Sequence, residues 1–217
     1  MKENTEYIWY ASYGSNILEE RFLFYILGGK PIGSTKEYIG SKDKTFPIKN
    51  EEIYINSELY FAKKSSTWNG GGVCFININF DKQIQTLGRM YLITKEQFLD
   101  IVRQETGTEN SLNFDIKDVM NNGFSIVKER SWYGKIIYLG NQDDYPIFTI
   151  SSEINFDPTK PDKNYLKTII RGLQETYNLN EEEIKDYLIT KRGIINNYTS
   201  DELLSIIIDG NQAVGNS

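Results

Sequence analysis

A junction between a strand and a helix near the start of the chain constrains the fold more than any other stretch. Residues 8–10 and Tyr13 are bulky and favour a buried strand, and Gly14 interrupts it with a flexible backbone. Apolar residues then recur three and four positions apart, at Leu18, Phe22, Tyr25 and Ile26, before Gly28. The sequence therefore predicts a strand, a sharp turn and an amphipathic helix in direct succession.

The turn at residues 13–16 has two interpretations. It can be a plain turn, in which the side-chain oxygens of Ser15 and Asn16 cap the helix that follows. Alternatively, its backbone N–H groups point together at the positive end of the helix dipole, where they can bind a carboxylate or a phosphate. The residue types alone leave both interpretations open.

The composition is that of an ordinary globular protein with a sizeable core. The 217 residues suit one large domain, or one domain with an appendage, and 39% of them are hydrophobic while 25% are charged. The formal net charge is −6 and the basic residues are scattered, so we expect neither nucleic acid nor an anionic membrane as a partner. The sequence has no apolar run of signal-peptide or membrane-spanning length, and we expect a cytoplasmic protein.

The chain has no histidine and a single cysteine, Cys74. These counts argue against Ser-His-Asp and Cys-His catalysis, intramolecular disulfides and the common zinc sites. Ser15 is a poor covalent nucleophile because no histidine can activate it. We therefore expect no metal and no cofactor, and a carboxylate as the proton carrier if the protein is an enzyme.

Glu105 lies at the end of a predicted amphipathic helix. Thr94 and Gln97 form a capping box that starts a helix, whose apolar face comprises Phe98, Leu99, Ile101 and Val102. Glu105 continues that face at the end of the helix, where it is either exposed by fraying or held at the mouth of a pocket. Glu96 and Asp100 on the same helix are predicted to be solvated.

A glycine-rich loop at residues 65–72 contains Trp68 and runs into a predicted strand. Its glycines allow a close backbone approach, either in a flexible hairpin with Trp68 as a packing lid or in contact with a ligand. The loop lacks the lysine and the spacing of a phosphate-binding loop, so nucleotide binding is not predicted. Residues 30–50 and 106–123 show no sustained period and are predicted to be irregular loops.

The remaining pattern predicts an α+β protein. Apolar strands at residues 53–64, 73–79, 86–93, 124–127, 133–139 and 146–150 indicate a mixed or antiparallel sheet that closes on itself. Further helices are predicted after Asp162, near Asn180 and near Ser200.

Together these pieces resemble the γ-glutamylcyclotransferase family, also described as AIG2-like. The resemblance rests on Tyr-Gly-Ser-Asn at residues 13–16, Trp68 with Gly70-Gly71, the Gly88 strand, Arg103-Gln104-Glu105 and the helix that opens at Tyr165. The matches are collinear over residues 7–178. The resemblance implies a small mixed β-barrel with flanking helices in residues 1–178, and residues 179–217 are interpreted as a C-terminal helical extension packed on the same domain.

The resemblance implies an enzyme that converts a γ-glutamyl amine or small γ-glutamyl peptide to 5-oxoproline and a free amine. Glu105 would be its catalytic acid and base, and the substrate-binding residues would be Tyr13, Gly14, Ser15, Asn16 and Tyr165. The substrate's own α-amine would attack its γ-carbonyl, so no external nucleophile is needed. Thr106 stands where the family often has glycine, so the loop beside Glu105 departs from the family pattern.

Two other interpretations stay open. A γ-glutamyl amide hydrolase would use water and release glutamate, and a non-catalytic module of the same fold would bind a small γ-glutamyl or amino-acid ligand without turning it over. The sequence also leaves open which amine departs, what residues 30–50 do, and whether the C-terminal helices form a homodimer.

Overall fold

The computed structural model of the chain describes residues 5–31, 36–108, 112 and 114–212. Its strands are β1 (Tyr7–Ser12), β2 (Asn50–Ile55), β3 (Ser57–Ser65), β4 (Gly71–Phe80), β5 (Thr86–Thr94), β6 (Phe124–Ile126), β7 (Lys135–Gln142) and β8 (Tyr145–Ser151). Its α-helices are α1 (Glu19–Leu27), α2 (Lys95–Thr106), α3 (Ile116–Asn122), α4 (Lys163–Tyr177), α5 (Glu181–Ile189) and α6 (Ser200–Gln212). Short 3₁₀ turns occur at Ser15–Ile17 and Ser66–Trp68.

The described residues divide into two compact units, each assembled from three separate segments. The first unit draws on Met1–Ser12, Phe22–Ile53 and Arg89–Ile154. The second draws on Tyr13–Arg21, Tyr54–Gly88 and Asn155–Ser217. The domain boundary inferred from sequence at residue 178 stays a prediction.

An open mixed sheet forms the framework of the first unit, with the strand order β2-β5-β1-β8-β7-β6. Strand β1 pairs antiparallel with β5, from Tyr7 opposite Thr94 to Ser12 opposite Arg89, and parallel with β8. Strand β7 pairs antiparallel with both β8 and β6. The predicted α+β class is confirmed, while the sheet of the described residues ends at β2 and β6 and is not closed into the expected barrel.

Aromatic rings fill the core of the first unit. Phe22 on α1 stacks on Tyr91 of β5 with ring centroids 3.9 Å apart, and Phe98 on α2 stacks on Phe148 of β8 at 5.9 Å. All four rings are fully buried, and burying each side chain stabilises the fold by about 1.5–3 kcal/mol. This cluster fixes α1 and α2 against the sheet, and therefore fixes the helix that carries Glu105.

The second unit combines the antiparallel β3–β4 hairpin with α4, α5 and α6. Helix α4 buries one apolar face, at Tyr165, Leu166, Ile169, Ile170 and Leu173. Gly172 lies where the backbone of Ile17 and Leu18 approaches this helix, and a Cβ on Gly172 would be 2.6 Å from the Leu18 nitrogen. The absence of a side chain at Gly172 thus lets the 3₁₀ turn pack directly on α4.

A salt bridge in the second unit links β3 to the segment after α5. The Arg192 guanidinium donates to both carboxylate oxygens of Glu58, at 2.9 and 3.0 Å, and Asn77 Nδ2 donates at 3.3 Å. Burial raises the pKa of Glu58, but the hydrogen bonds from Arg192 and Asn77 outweigh it and hold the pKa below its ordinary value of 4.5. Because this favours the ionised form in the folded state, the pair's stabilisation is complete above pH 4.5 and is lost as the pH falls through the lowered pKa.

We expect Glu58→Gln to destabilise the protein more at about pH 7 than at about pH 3, because the wild-type carboxylate is increasingly protonated at the lower pH. Urea unfolding at both pH values measures the difference. The matched control is Glu52→Gln on β2, because Glu52 is exposed. Equal destabilisation by Glu58→Gln at the two pH values would contradict this role of the Arg192 pair.

Helix α3 lies within the stretch that was predicted to be irregular. Asp115 caps it by accepting a hydrogen bond from the Asp118 N–H at 3.0 Å, and Gly123 ends it. The single strand predicted at residues 53–64 is divided at Asn56, which separates β2 from β3. Parts of the two predicted loops, residues 32–35, 109–111 and 113, and the polar C-terminal tail at 213–217 lie outside the described residues.

Candidate functional site

The turn at residues 13–16 follows β1 directly in the chain. Its backbone forms one turn of 3₁₀ helix, in which the Ile17 N–H donates to the Gly14 carbonyl at 3.0 Å. Helix α1 begins only at Glu19, and no side chain caps the 3₁₀ turn in this described stretch. The predicted capping by Ser15 and Asn16 is therefore wrong, and main-chain hydrogen bonds shape the turn instead.

Two main-chain donors of this turn have no acceptor within the described residues. They are the N–H groups of Gly14 and Ser15. Both residues are half-buried, and their neighbours Tyr13 and Asn16 are 4% and 6% exposed. Main-chain donors of this kind can bind water, a carboxylate or an oxyanion from outside the chain.

Tyr165 on α4 packs behind the turn. Its hydroxyl oxygen accepts a hydrogen bond from the Cys74 N–H at 3.0 Å. A Cβ on Gly14 would lie 3.1 Å from that hydroxyl oxygen and 3.2 Å from the Cys74 Cβ, so glycine permits this close packing. Tyr165 is 3% exposed, and burial raises its pKa well above 10. It is therefore a neutral support for the turn near neutral pH.

We expect Tyr165→Phe to lower the free energy of unfolding by about 1–3 kcal/mol, because it leaves the buried Cys74 N–H without its acceptor. Urea unfolding followed by circular dichroism measures the loss. Tyr54→Phe is the control, since Tyr54 is 46% exposed and its ring contact with Tyr177 does not depend on the hydroxyl. Unchanged stability of Tyr165→Phe would show that the Cys74 hydrogen bond is not needed.

Aromatic and cationic side chains continue this packing in the second unit. The ring centroids of Trp68 and Tyr165 are 4.9 Å apart, and the Arg21 guanidinium lies 6.0 Å from the Trp68 centroid. Arg21 is 8% exposed, so a positive charge is buried in the same unit as the turn. The contact is a cation–π pair, which contributes most when it is shielded from water.

The glycine-rich loop packs against the segment that leads into α4. The Gly72 N–H donates to the Lys160 carbonyl at 2.8 Å, and a Cβ on Gly71 would be 2.4 Å from the Asp162 nitrogen. Asn69 Nδ2 donates to Asp162 at 3.2 Å, and Asp162 is the N-cap of α4. Close packing against residues 160–162, at the start of α4, accounts for both glycines, and neither interpretation from sequence included it.

Glu105 occupies the last turn of α2, in the first unit. The predicted capping box is present at the other end of this helix, with hydrogen bonds from the Gln97 N–H to Thr94 Oγ1 and from the Thr94 N–H to Gln97 Oε1. The helix continues through Thr106. Glu105 is half-buried, and its Oε1 accepts a hydrogen bond from the Tyr25 hydroxyl at 2.6 Å. Its side chain is fixed by this bond and not frayed.

Residues 38–45 are irregular, as the sequence predicted, and contact α2. The Lys42 N–H donates to Asp100 Oδ2 at 2.8 Å, and Gln97 Nε2 donates to the Thr45 carbonyl at 2.7 Å. Asp100 is 8% exposed, so the prediction that it is solvated is wrong. A carboxylate that sequence reasoning assigned to the solvent thus holds a neighbouring segment against the helix.

The structure places the predicted site residues in two groups. The turn at 13–16 and Tyr165 pack together in the second unit, whereas Glu105 belongs to the first unit. The sequence did not single out Tyr25 as a partner of Glu105, because Tyr25 counted only as an apolar helix position. The two residues are 80 positions apart, and such a pairing leaves no local signal in the sequence.

The Cys74 thiol and the possible metal ligands offer no second candidate site among the described residues. Burial raises the pKa of the Cys74 thiol to about 12, so the thiol stays protonated near neutral pH. In the part of the chain that the structure describes, histidine, cysteine and acidic side chains do not cluster in groups able to hold a metal ion. The same part has no helix both long enough and apolar enough to cross a membrane.

Solved structures with the same architecture identify the fold. One named gamma-glutamyl cyclotransferase is similar with a TM-score of 0.51 and 17% sequence identity, over 94% of this chain and 99% of that one. An uncharacterized protein from Homo sapiens is similar with a TM-score of 0.51 and 19% identity, over the same shares of the two chains. The chain therefore has a γ-glutamylcyclotransferase-like α+β fold.

Comparison of the amino-acid sequence does not identify a family for this chain. No protein-family profile matches the chain. Among curated proteins, Histone deacetylase 5 of Arabidopsis thaliana is 38% identical in an alignment of 200 positions that covers 83% of this chain and 30% of that protein. The chain thus spans less than a third of this relative's length, and the relative's name refers to the whole larger protein.

Proposed function

We propose that the chain is a γ-glutamylcyclotransferase, which converts a γ-glutamyl amine or small γ-glutamyl peptide to 5-oxoproline and a free amine. The observation that carries this proposal is the turn at 13–16, where the N–H groups of Gly14 and Ser15 have no acceptor within the described residues. A γ-glutamyl compound has matching acceptors, namely its α-carboxylate and the γ-carbonyl that becomes an oxyanion. The fold alone would not assign this chemistry.

The turn would stabilise negative charge. Gly14 and Ser15 would donate hydrogen bonds to the substrate carboxylate or to the oxyanion of the tetrahedral intermediate, and removing one such donor commonly lowers kcat by about 10²–10³-fold. Tyr13 and Asn16 are assigned to substrate binding as neighbours of these donors. Tyr165 would contribute through Gly14, because its buried hydroxyl fixes the position of the turn.

Glu105 would move the protons. It takes a proton from the α-ammonium, the freed amine attacks the γ-carbonyl, and a C–N bond forms while the carbonyl oxygen becomes an oxyanion. The oxyanion then returns to a carbonyl as the bond to the leaving nitrogen breaks, and that nitrogen receives the proton from Glu105. The second proton of the α-nitrogen passes to the departing amine in the same way. Over the whole reaction the α-nitrogen loses two protons and the leaving amine gains two, so no oxidant, reductant or water is consumed.

Because the attack is intramolecular, a chain without histidine or a reactive cysteine can catalyse this reaction. A correctly oriented intramolecular nucleophile has an effective molarity of about 10⁵–10⁸ M, so the protein mainly has to bind, orient and exchange protons. The two groups assigned here, a pair of main-chain donors and one carboxylate, supply those tasks.

Product identification tests the proposal. We expect mass spectrometry to detect 5-oxoproline and the free amine when the protein is incubated with a panel of γ-glutamyl amines and dipeptides. Free glutamate in place of 5-oxoproline would instead identify a γ-glutamyl amide hydrolase. Binding of the panel without any product, in both the wild type and Glu105→Gln, would identify a non-catalytic binding module.

A further inference from the structure

The position of Glu105 in α2 does not by itself stabilise a carboxylate. Glu105 lies in the last turn of the helix, where the unpaired carbonyl groups carry partial negative charge. Among the described residues no lysine or arginine forms an ion pair with it, and Arg103 in the same turn pairs with Asp100 at 2.6 Å. The hydrogen bond that the described chain provides to Glu105 comes from Tyr25.

Tyr25 is itself firmly held. It is 3% exposed, and its ring centroid lies 4.8 Å from that of Tyr38. Its main-chain carbonyl accepts two hydrogen bonds, from Ser41 Oγ and from Gln104 Nε2, each at 3.0 Å. Since Gln104 precedes Glu105 on α2, two consecutive residues of that helix bind the same tyrosine, one through its carbonyl and the other through its hydroxyl.

This arrangement treats the two carboxylate oxygens differently. Oε1 accepts the Tyr25 hydroxyl at 2.6 Å, a short distance that is typical of a charge-assisted O–H hydrogen bond. Oε2 has no hydrogen-bonding partner within the described residues. One oxygen therefore fixes the orientation of the carboxyl group, while the other is left to exchange a proton.

We propose that Tyr25 is a positioning residue, which anchors Glu105 through Oε1 so that Oε2 carries the proton between the two nitrogen atoms; this inference rests on the proposed function. Tyr25 acts through Glu105 and needs no contact with the substrate. This role accounts for the short hydrogen bond between Tyr25 and Glu105. It also accounts for the burial of Tyr25 and for the two hydrogen bonds to its carbonyl group.

The test is Tyr25→Phe, which removes one oxygen atom and keeps the ring. We expect kcat to fall about 10-fold or more while KM changes less than about twofold, because the variant loses a charge-assisted hydrogen bond that orients the proton carrier. In a Glu105→Gln background the same substitution should change kcat less than about twofold, because Tyr25 acts through that carboxyl group. A wild-type kcat in Tyr25→Phe, or an undiminished loss in the Glu105→Gln background, would overturn the inference.

The matched control is Tyr138→Phe on β7. The Tyr138 hydroxyl also donates one hydrogen bond within the first unit, to Asn141 Oδ1 at 2.8 Å, but it has no bond to Glu105. We expect kcat and KM of this variant to equal those of the wild type. Equal losses of kcat in the two variants would attribute the effect to general stability and not to Glu105.

A second measurement separates this inference from the proposed function. Carbodiimide coupling of glycinamide to Glu105, followed by peptide mapping, reports how firmly the carboxyl group is held even if no substrate is turned over. We expect labelling of Glu105 to be about threefold faster or more in Tyr25→Phe than in the wild type or Tyr138→Phe. If 5-oxoproline never forms but labelling accelerates, the proposed function fails and the anchoring by Tyr25 stands; equal labelling rates overturn the anchoring.

Discussion

Replacing Glu105 with glutamine should lower kcat for 5-oxoproline formation by about 10²–10⁴-fold, the range expected for the loss of a general acid–base group. The glutamine amide has nearly the same shape, and its oxygen can still accept the Tyr25 hydroxyl hydrogen bond. It cannot carry a proton from the α-ammonium to the leaving nitrogen. Steady-state kinetics with a γ-glutamyl substrate, followed by product mass spectrometry, measure the loss.

Glu96→Gln is the control for this substitution. Glu96 is exposed in the first turn of the same helix, as the sequence predicted, so we expect kcat to be unchanged. Calorimetric titration with an unreactive γ-glutamyl analogue should show that Glu105→Gln still binds. If Glu105→Gln keeps kcat within about twofold of the wild type, Glu105 is not the proton carrier.

Gly172→Ala is expected to lower the stability of the protein and to weaken substrate binding as well. An added Cβ would lie 2.6 Å from the Leu18 nitrogen and 2.9 Å from the Ile17 carbonyl carbon. Backbone atoms cannot rotate away, so the clash outweighs the gain of about 1 kcal/mol in helix propensity. We expect a net loss of about 1–3 kcal/mol and a fall in Tm of about 2–10 °C, together with a raised KM from the displaced turn.

Gly210→Ala makes the same change on α6 and serves as its control. A Cβ at Gly210 would meet no atom nearer than 3.8 Å. We expect this variant to be as stable as the wild type, or more stable by up to about 1 kcal/mol. Calorimetry of both variants decides the matter: equal Tm values would mean that α4 and the 3₁₀ turn can separate without cost.

Helix starts were predictable because their signals are local. Thr94 with Gln97 begins α2, and Asn180 with Glu183 begins α5, each through the reciprocal hydrogen bonds of a capping box. These bonds join residues three positions apart, so the sequence displays both partners together. The apolar period of α4 was predictable for the same reason, since its residues occupy one face of a single helix.

Helix α3 shows the limit of that approach. Its seven residues are too few to display an apolar period, and only Val119 is buried. The cap at Asp115 and the terminating Gly123 were present in the sequence, but each is also common in loops. A short helix between such residues is recognised only when the segment on which it packs is known.

The residues around the predicted site are held by contacts between distant parts of the chain, and the sequence alone did not predict those contacts. Gly71 is explained by Asp162, and Asp100 by Lys42, each through contacts between distant parts of the chain. The roles of the turn at 13–16 and of Glu105 were implied by the resemblance to a known family, and they stay predictions. Tyr25 was missed because a tyrosine on an apolar helix face usually serves the core, and its hydroxyl partner lies on another helix.

The Gln97 side chain has a consequence for the motions of the first unit. Its Oε1 accepts the Thr94 N–H while its Nε2 donates to the Thr45 carbonyl, so one amide group closes the start of α2 and also fastens residues 43–45. Opening either contact frees the group that maintains the other. The amide protons of these two segments should therefore exchange with solvent through a single cooperative opening, with one shared free energy.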